Sequence, residues 1–264
     1  MNDMNTKKLC KVLLMAACAC CLTGCGDDND AISLVNTQGN ELITNNGTYF
    51  KLSPFSSGDT FYISGGDGAY SISNSNEAVV RFSYDGQTIT FYPVGPGSSQ
   101  VTIQDHSGNL YTLTVEVAYP EERFMVNSQT VSIIGGGLTQ NETTTLQIRA
   151  AEELPVQLGG EYHFVYMAAD STNGELNMYK SPNDFPTTGV FQKQEKYKED
   201  GTRYEQLNVT LASGETVIYA FSKYISNTDT LYTLQQDVTD KYKTEYPALE
   251  EASISQELQA IDVK

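Results

Sequence analysis

Tryptophan is absent from this chain of 264 residues, histidine occurs only twice, and all five cysteines lie within the first 25 residues. If the segment before Cys25 is removed and Cys25 itself is modified, as argued below, the remaining body contains no thiol. That body cannot form a disulfide, a cysteine-ligated zinc site or a thiol nucleophile. Ser, Asp, Glu and Tyr are then the main candidates for catalysis, and we expect neither a cofactor nor a bound metal.

Basic residues are also scarce. The chain has 16 Lys and Arg residues against 33 Asp and Glu residues, which gives a formal net charge of −17. Removal of residues 1–24 takes away three lysines and one aspartate, so the mature chain would carry a charge of −19. Such a charge repels nucleic acid and anionic lipid headgroups, because binding to phosphates requires a surplus of Lys and Arg. We therefore expect no nucleic-acid partner. The roughly 240 residues that remain suffice for two modest domains.

The N-terminal segment has the order of features found in a secretory signal peptide. Lys7, Lys8 and Lys11 form a basic start, and an apolar run follows over residues 12–22. That run is too short to cross about 30 Å of hydrocarbon as a helix, which takes roughly 20 residues. The alternative is a buried helix of a cytosolic domain. The N-terminal position and the ending in Gly-Cys favour a signal peptide over residues 1–24.

The last residues of this segment, Leu22-Thr23-Gly24-Cys25, resemble the lipobox of bacterial lipoproteins. The resemblance implies cleavage before Cys25 and attachment of a diacylglycerol to its sulfur. Each buried CH₂ of an acyl chain contributes about 0.8 kcal/mol, so two or three chains anchor a protein firmly in a membrane. Cys25 is therefore expected to be a lipid anchor and not a catalyst.

An acidic tether over residues 25–30 follows the cleavage site. Its three aspartates, Asp27, Asp28 and Asp30, resemble the export signal that sends lipoproteins of Bacteroidetes to the outer face of the outer membrane. The alternative is a solvated tether that ends in the periplasm. The expected location is the outer membrane, with the protein held by its lipid and facing the cell exterior.

Residues 31–118 are predicted to form short strands with turns between them. The segment 111–117 alternates apolar and polar residues with the period of a half-buried strand. Asp85-Gly86 predicts a tight hairpin. The segments GGDGAYSI, SNEAVV, GPG and VTIQDHSGNLYTLTVEV, in that order, resemble a bacterial Ig-like domain. The resemblance implies a β-sandwich over residues 31–118 with a spacing or binding role and without active-site residues.

The second domain, residues 120–264, is predicted from its pattern alone. Residues 118–124 are predicted to be a linker, because Pro120 cannot donate to a strand ladder and Glu121-Glu122-Arg123 is a charged cluster. Residues 237–247 predict a short helix with Asp237 as N-cap and Pro247 as its end. The tail is ambiguous between a helix and a final strand from about Gln256, and we favour the strand. The segments predicted as strands are TTLQIRA, EYHFVYMA, ELNMYK, YEQLNVTL, TVIYAFSKYI and TLYTL, with Ser213-Gly214 as a hairpin turn.

The predicted fold class is thus all-β. It comprises an Ig-like β-sandwich followed by a second, mostly-β and sandwich-like domain with a short helix near the C-terminus.

The segment 180–204 combines cations with aromatic residues in an otherwise acidic chain. Its polar stretch, residues 181–203, lacks a clear period, and loops of that length inside compact domains are often functional. Aromatic rings stack on sugar faces or on partner side chains, and long cations extend around them. We therefore interpret the segment as a recognition loop for a glycan or an acidic partner. The alternative is an irregular edge whose aromatic residues pack onto the domain. The candidate binding residues are Lys180, Phe185, Phe191, Lys196, Tyr197, Arg203 and Tyr204.

The two histidines offer little support for catalysis. His106 lies in the turn Asp105-His106-Ser107-Gly108, and adjacent turn residues do not easily adopt the geometry of a Ser-His-Asp triad. His163 is predicted on the strand face opposite Tyr162, and as a general base it would need a partner such as Asp170. The segments SGGDGAY and DHSGN offer oxygen ligands for calcium, but neither has the spacing of a twelve-residue calcium loop.

The sequence therefore favours a cell-surface lipoprotein with a non-catalytic binding, adhesion or structural role. One form of this role is membership of a glycan-capture or surface-assembly complex. The expected partners are the membrane, through the lipid, and glycans or surface proteins. The alternative is an extracellular hydrolase with a carboxylate- or Ser-based site in the second domain.

Overall fold

The computed structural model describes residues 31–42, 47–226 and 229–262. Cys25 and the acidic tether with Asp27, Asp28 and Asp30 lie outside these residues. The described chain is mostly β, with two helices, which confirms the predicted all-β class. Contacts within the chain divide it into two compact units, with the division between Ala118 and Tyr119. Each unit is described by itself below.

The first unit contains two four-stranded sheets, with the orders β1-β3-β6-β5 and β2-β8-β7-β4. All pairs are antiparallel except β2 with β8. The inward residues of both sheets form one apolar cluster, which includes Leu52, Phe91 and Leu113. The predicted hairpin at Asp85-Gly86 is present between β5 and β6, and Gly86 adopts a positive φ of 99° there. The strands are β1 (Ser33–Asn36), β2 (Tyr49–Leu52), β3 (Asp59–Ser64), β4 (Tyr70–Asn74), β5 (Val80–Tyr84), β6 (Thr88–Pro93), β7 (Gly97–Asp105) and β8 (Leu110–Val117).

The second unit is a closed barrel of eight antiparallel strands, each paired with the next along the chain. The expectation of a sandwich-like domain is wrong. Closure depends on the first strand, which at 14 residues is long enough to pair with β10 on one edge and with β16 on the other. A closed barrel leaves no free sheet edge. Its strands are β9 (Glu121–Ile134), β10 (Glu161–Tyr166), β11 (Asn173–Tyr179), β12 (Thr187–Tyr197), β13 (Arg203–Leu211), β14 (Thr216–Ser226), β15 (Asp229–Asp237) and β16 (Glu251–Ile261).

Several segments differ from their predicted structure. Glu121, Glu122 and Arg123 are not a linker but the first residues of β9, and the Arg123 side chain forms a salt bridge with Glu161. Residues 181–203 are not a long loop: most of them form β12 and the turn that leads into β13. The final strand begins at Glu251, earlier than predicted.

Helix α1 (Gln140–Glu152) covers the segment TTLQIRA, which was predicted as a strand. A capping box at its start stabilises the helix in spite of the strand preference of the β-branched threonines in that segment. The Thr139 hydroxyl accepts a hydrogen bond from the Glu142 amide, and the Glu142 carboxylate accepts one from the Thr139 amide. The buried face of α1 packs through Leu146 and Ala150.

Helix α2 (Thr239–Lys243) is the short helix predicted near the C-terminus. Its N-cap is Val238 and not Asp237, although the Asp237 carboxylate accepts a hydrogen bond from the Thr239 amide. Tyr242 of α2, Leu146 of α1 and Ile254 of β16 share one buried cluster. The two helices therefore cover one end of the barrel, here called the closed end. Neither helix in the described part of the chain is long and apolar enough to span a membrane.

Candidate functional site

The interior of the barrel is built by side chains at alternate strand positions. On β10, Tyr162, Phe164 and Tyr166 point inward and are almost fully buried, as the predicted alternation of this strand requires. Inward residues from the other strands fill the middle of the barrel, including Phe124, Phe191 and Leu207. The middle is therefore a packed core, which is typical for eight strands.

A cavity of about 420 Å³ lies at the end of the barrel opposite the two helices. We call it the mouth. It is formed where β10, β12 and β14 end and β9, β13 and β15 begin, and its volume is in the range of small-molecule sites. Its principal lining residues are Glu122, Tyr166, Lys193, Glu205, Phe221 and Tyr232.

Lys193 is the central cation of the mouth. It points inward from β12, two residues after the buried Phe191, and its side chain is only 12 % exposed. The ammonium nitrogen lies 4.8 Å from the ring centre of Tyr166, 5.4 Å from that of Phe221 and 5.5 Å from that of Phe164. A cation over aromatic faces is stabilised by the ring quadrupoles, by about 2 kcal/mol when the site is desolvated. The rings thus hold a charge at the base of the cavity.

Two carboxylates, Glu205 and Glu122, are connected to this cation, the first directly and the second through Tyr166. Lys193 Nζ donates a hydrogen bond to Tyr166 Oη at 3.1 Å and lies 3.4 Å from Glu205 Oε2. Tyr166 Oη in turn donates a hydrogen bond to the Glu122 carboxylate. Burial, followed by the hydrogen bond to Glu122, raises the pKa of Tyr166 well above its usual value. The phenol therefore stays protonated. Hydrogen bonds run from Lys193 to Tyr166 and from Tyr166 to Glu122, and they hold these three side chains in place.

The rim of the mouth adds cations and a ring. Arg203 pairs with Glu195 at 2.7 Å across the β12–β13 hairpin. Lys223 Nζ lies 5.6 Å from the centre of the Tyr232 ring, which stacks on Phe221 with 5.9 Å between the ring centres. Donors, acceptors and ring faces therefore border the same cavity.

The seven residues predicted as a binding group do not lie together. Lys180 donates to the Glu152 carbonyl near the closed end, and Phe185, in the turn between β11 and β12, is 99 % exposed. Phe191 is buried in the core, so its packing matches the alternative reading of the segment. The other four, Lys196, Tyr197, Arg203 and Tyr204, lie on the β12–β13 hairpin at the mouth end, and the last two line the mouth.

Sequence reasoning missed most of the mouth. Lys193 carries the clearest signal, because Gly189, Phe191 and Lys193 occupy one strand face and a lysine on a buried face needs a partner. Its partner Glu205 lies on the next strand of the same hairpin. Tyr166, together with the Glu122 that binds it, comes from distant parts of the sequence and meets Lys193 only in the folded barrel.

The histidines are placed away from the mouth. His163 Nε2 lies 2.7 Å from Glu121 Oε2, so its partner is Glu121 and not Asp170. Both point away from the barrel interior, on the face opposite Tyr162. His106 is exposed in its predicted turn.

The two oxygen-rich segments of the first unit do come together. The Asp105 carboxylate accepts hydrogen bonds from the amides of Asp67 and Asn109, so it stabilises the two turns. Among the described residues there is no group of three or more His, Cys, Asp or Glu side chains that could hold a metal ion.

Comparisons of the chain with models of protein families, with curated proteins and with solved structures give no match. The function therefore has to be inferred from the side chains of the mouth.

Proposed function

We propose that this protein is a lipid-anchored protein of the outer membrane surface whose barrel binds a glycan in its mouth. The observation that carries the proposal is the position of Lys193, a cation on an aromatic floor in a cavity of about 420 Å³, with Glu205 beside it. The role is binding without catalysis.

The chemistry of the mouth matches that of a sugar. A sugar ring offers hydroxyls around its edge, which donate and accept hydrogen bonds, and C–H groups on its faces. The Lys193 ammonium supplies donors, Glu205 supplies an acceptor, and the ring of Tyr232, which stacks on Phe221, supplies an apolar surface. Hydrogen bonds to charged groups are roughly twice as strong as those between neutral groups.

The N-terminal sequence supports the location. Leu22–Cys25 resembles a lipobox, and Asp27, Asp28 and Asp30 resemble the surface-export signal of Bacteroidetes lipoproteins. The first unit, residues 31–118, is proposed to be an Ig-like β-sandwich that acts as a spacer. Its two sheets around one core are compatible with that role.

The test is sugar binding by the full chain and by Lys193→Met. Methionine keeps the apolar stem over the rings and removes the charge, and Glu205 is exposed enough to stay hydrated. The probes are glucose, galactose, mannose and N-acetylglucosamine, each as the free sugar and as a short oligosaccharide, measured by calorimetry. We expect the variant to bind about tenfold more weakly or worse, because a charged hydrogen bond is lost.

Lys198→Met is the matched control, since Lys198 lies in the exposed hairpin turn. It should bind like the wild type. The proposal fails if none of the sugars binds the wild type, or if Lys193→Met binds as tightly as Lys198→Met.

A further inference from the structure

A second cavity lies at the closed end, between the barrel and its two helices. Its volume is about 180 Å³, and it is separate from the mouth because the packed core of the barrel lies between them. We call it the closed-end cavity. Its principal lining residues are Leu154, Met178, Val217, Tyr219, Gln236 and Ile254.

The hydroxyl of Tyr219 distinguishes this cavity. The residue is 3 % exposed, and its oxygen has no hydrogen-bond partner within residues 31–42, 47–226 and 229–262. Buried hydroxyls in native proteins are nearly always hydrogen-bonded, to the protein, to water or to a ligand. The neighbouring Tyr162 shows the usual arrangement, since its hydroxyl donates to Gln256 at 2.7 Å. The Tyr219 hydroxyl therefore calls for a partner that the described residues do not supply.

The surroundings limit the chemistry of that partner. Burial, with a contribution from the charge of Glu215, raises the pKa of Tyr219, so the phenol stays protonated and can donate a hydrogen bond. A partner with a hydrogen-bond acceptor would satisfy this donor. Glu153 and Glu215 border the cavity, and Lys241, the one cation among the described lining residues, is paired with Glu153 at 2.8 Å. An anionic guest would thus face uncompensated carboxylate charge.

We propose that the closed-end cavity binds a small, uncharged molecule with an apolar body the size of one ring and a hydrogen-bond acceptor that meets Tyr219. The volume supports the size, because an engineered apolar cavity of about 150 Å³ in another protein binds benzene. The side chains of Leu154, Met178, Val217 and Ile254 would surround the body of the guest.

The test uses phenol and toluene as probes, because they have nearly the same shape and differ in the hydroxyl. Both are titrated into the full chain by ligand-observed NMR. We expect the wild type to bind phenol about fivefold more tightly than toluene, the effect of one net hydrogen bond. Tyr219→Phe should lose this preference and bind toluene as before. Tyr224→Phe, a half-exposed position on the outer face of the same strand, should keep it.

Two results would overturn the proposal. One is an unchanged preference for phenol in Tyr219→Phe. The other is the absence of binding by either probe, which would mean that water alone occupies the cavity. If Tyr219→Phe does not fold, the wild type still decides: contacts from phenol protons to the Met178 methyl group place the probe in the cavity, and their absence excludes it.

Discussion

At the scale of single residues, the wall of the mouth depends on a glycine. Gly174 pairs with Tyr166 on one side and with Phe191 on the other. A Cβ atom at this position would lie 2.0 Å from the Val165 carbonyl oxygen and 3.0 Å from the Phe191 ring. The missing side chain allows the rings of Tyr166 and Phe191 to meet edge to face, with 5.7 Å between their centres.

Gly174→Ala should therefore destabilise the barrel by about 1–3 kcal/mol, the usual cost of overpacking a core. Urea unfolding, followed by a signal that comes from the barrel alone, measures this loss of stability. Gly136→Ala is the control, because the nearest atom to its added Cβ, Glu250 Oε1, is 3.5 Å away. The control should differ from the wild type by less than about 0.5 kcal/mol. Equal stability of the two variants would contradict the role assigned to Gly174.

The residue scale also shows how far the sequence could predict the site. The alternation of Tyr162, Phe164 and Tyr166 predicted a strand with one aromatic face, and the structure confirms it. The same period of two on β12 places Phe191 and Lys193 on one face, but the polar outward residues Gln192 and Gln194 hid the strand. Outward residues of a barrel are solvated, so a polar strand and a polar loop have similar compositions.

At the scale of elements, α1 and α2 are joined by one carboxylate. Glu153, just after α1, lies 2.8 Å from Arg149 Nε and 2.8 Å from Lys241 Nζ, and it accepts a hydrogen bond from Tyr242. The hydrogen bonds from Lys241 and then Arg149 lower the pKa of Glu153 to about 2. This small network fixes the helical cover of the closed end.

We expect Glu153→Gln to lower stability at pH 7 by about 1 kcal/mol, after discounting for solvent screening of a partly exposed group. A carboxylate whose pKa is lowered by folding contributes stability at pH values above the pKa that it has in the unfolded chain. This contribution is lost as the pH falls towards 2. The difference between wild type and variant should therefore shrink between pH 5 and pH 2 in urea titrations.

Glu152→Gln serves as the control for this network, because Glu152 is exposed and adjacent. It should have little effect on stability at pH 7. A difference between wild type and Glu153→Gln that stays constant down to pH 2.5 would contradict the proposed linkage.

The elements that sequence reasoning placed wrongly have a common cause. TTLQIRA has β-branched residues that favour a strand, and only the capping box Thr139–Glu142 indicates that a helix begins there. Barrel closure likewise cannot be predicted from the local sequence pattern, because it requires β9 to pair with β16, which lies more than 100 residues later. Strand segments such as β10, β11 and β13–β15 were predictable because each has its own period.

At the scale of the whole molecule, each unit has its own core. The apolar cluster of the first unit contains residues only from 32 to 117, and the two clusters of the second begin at Phe124. Every residue that lines the mouth belongs to the second unit. We therefore expect folding and ligand binding to be independent of the lipid proposed at Cys25, whose proposed role is location alone.

Cys25→Ala tests this separation. Without the sulfur no diacylglycerol can be attached, and the proposed anchor of two or three acyl chains is lost. We expect the variant to leave the membrane fraction, as a secreted or an unprocessed chain. The purified variant should keep the thermal midpoint and the sugar affinity of the lipidated protein. Fractionation of cells, followed by melting and calorimetry, measures all three properties.

Two outcomes would contradict different parts of this argument. If the variant stayed with membranes at its mature mass, the lipobox interpretation would be wrong. If it left the membrane but lost its fold or its sugar binding, the independence of the two units from the anchor would be wrong instead.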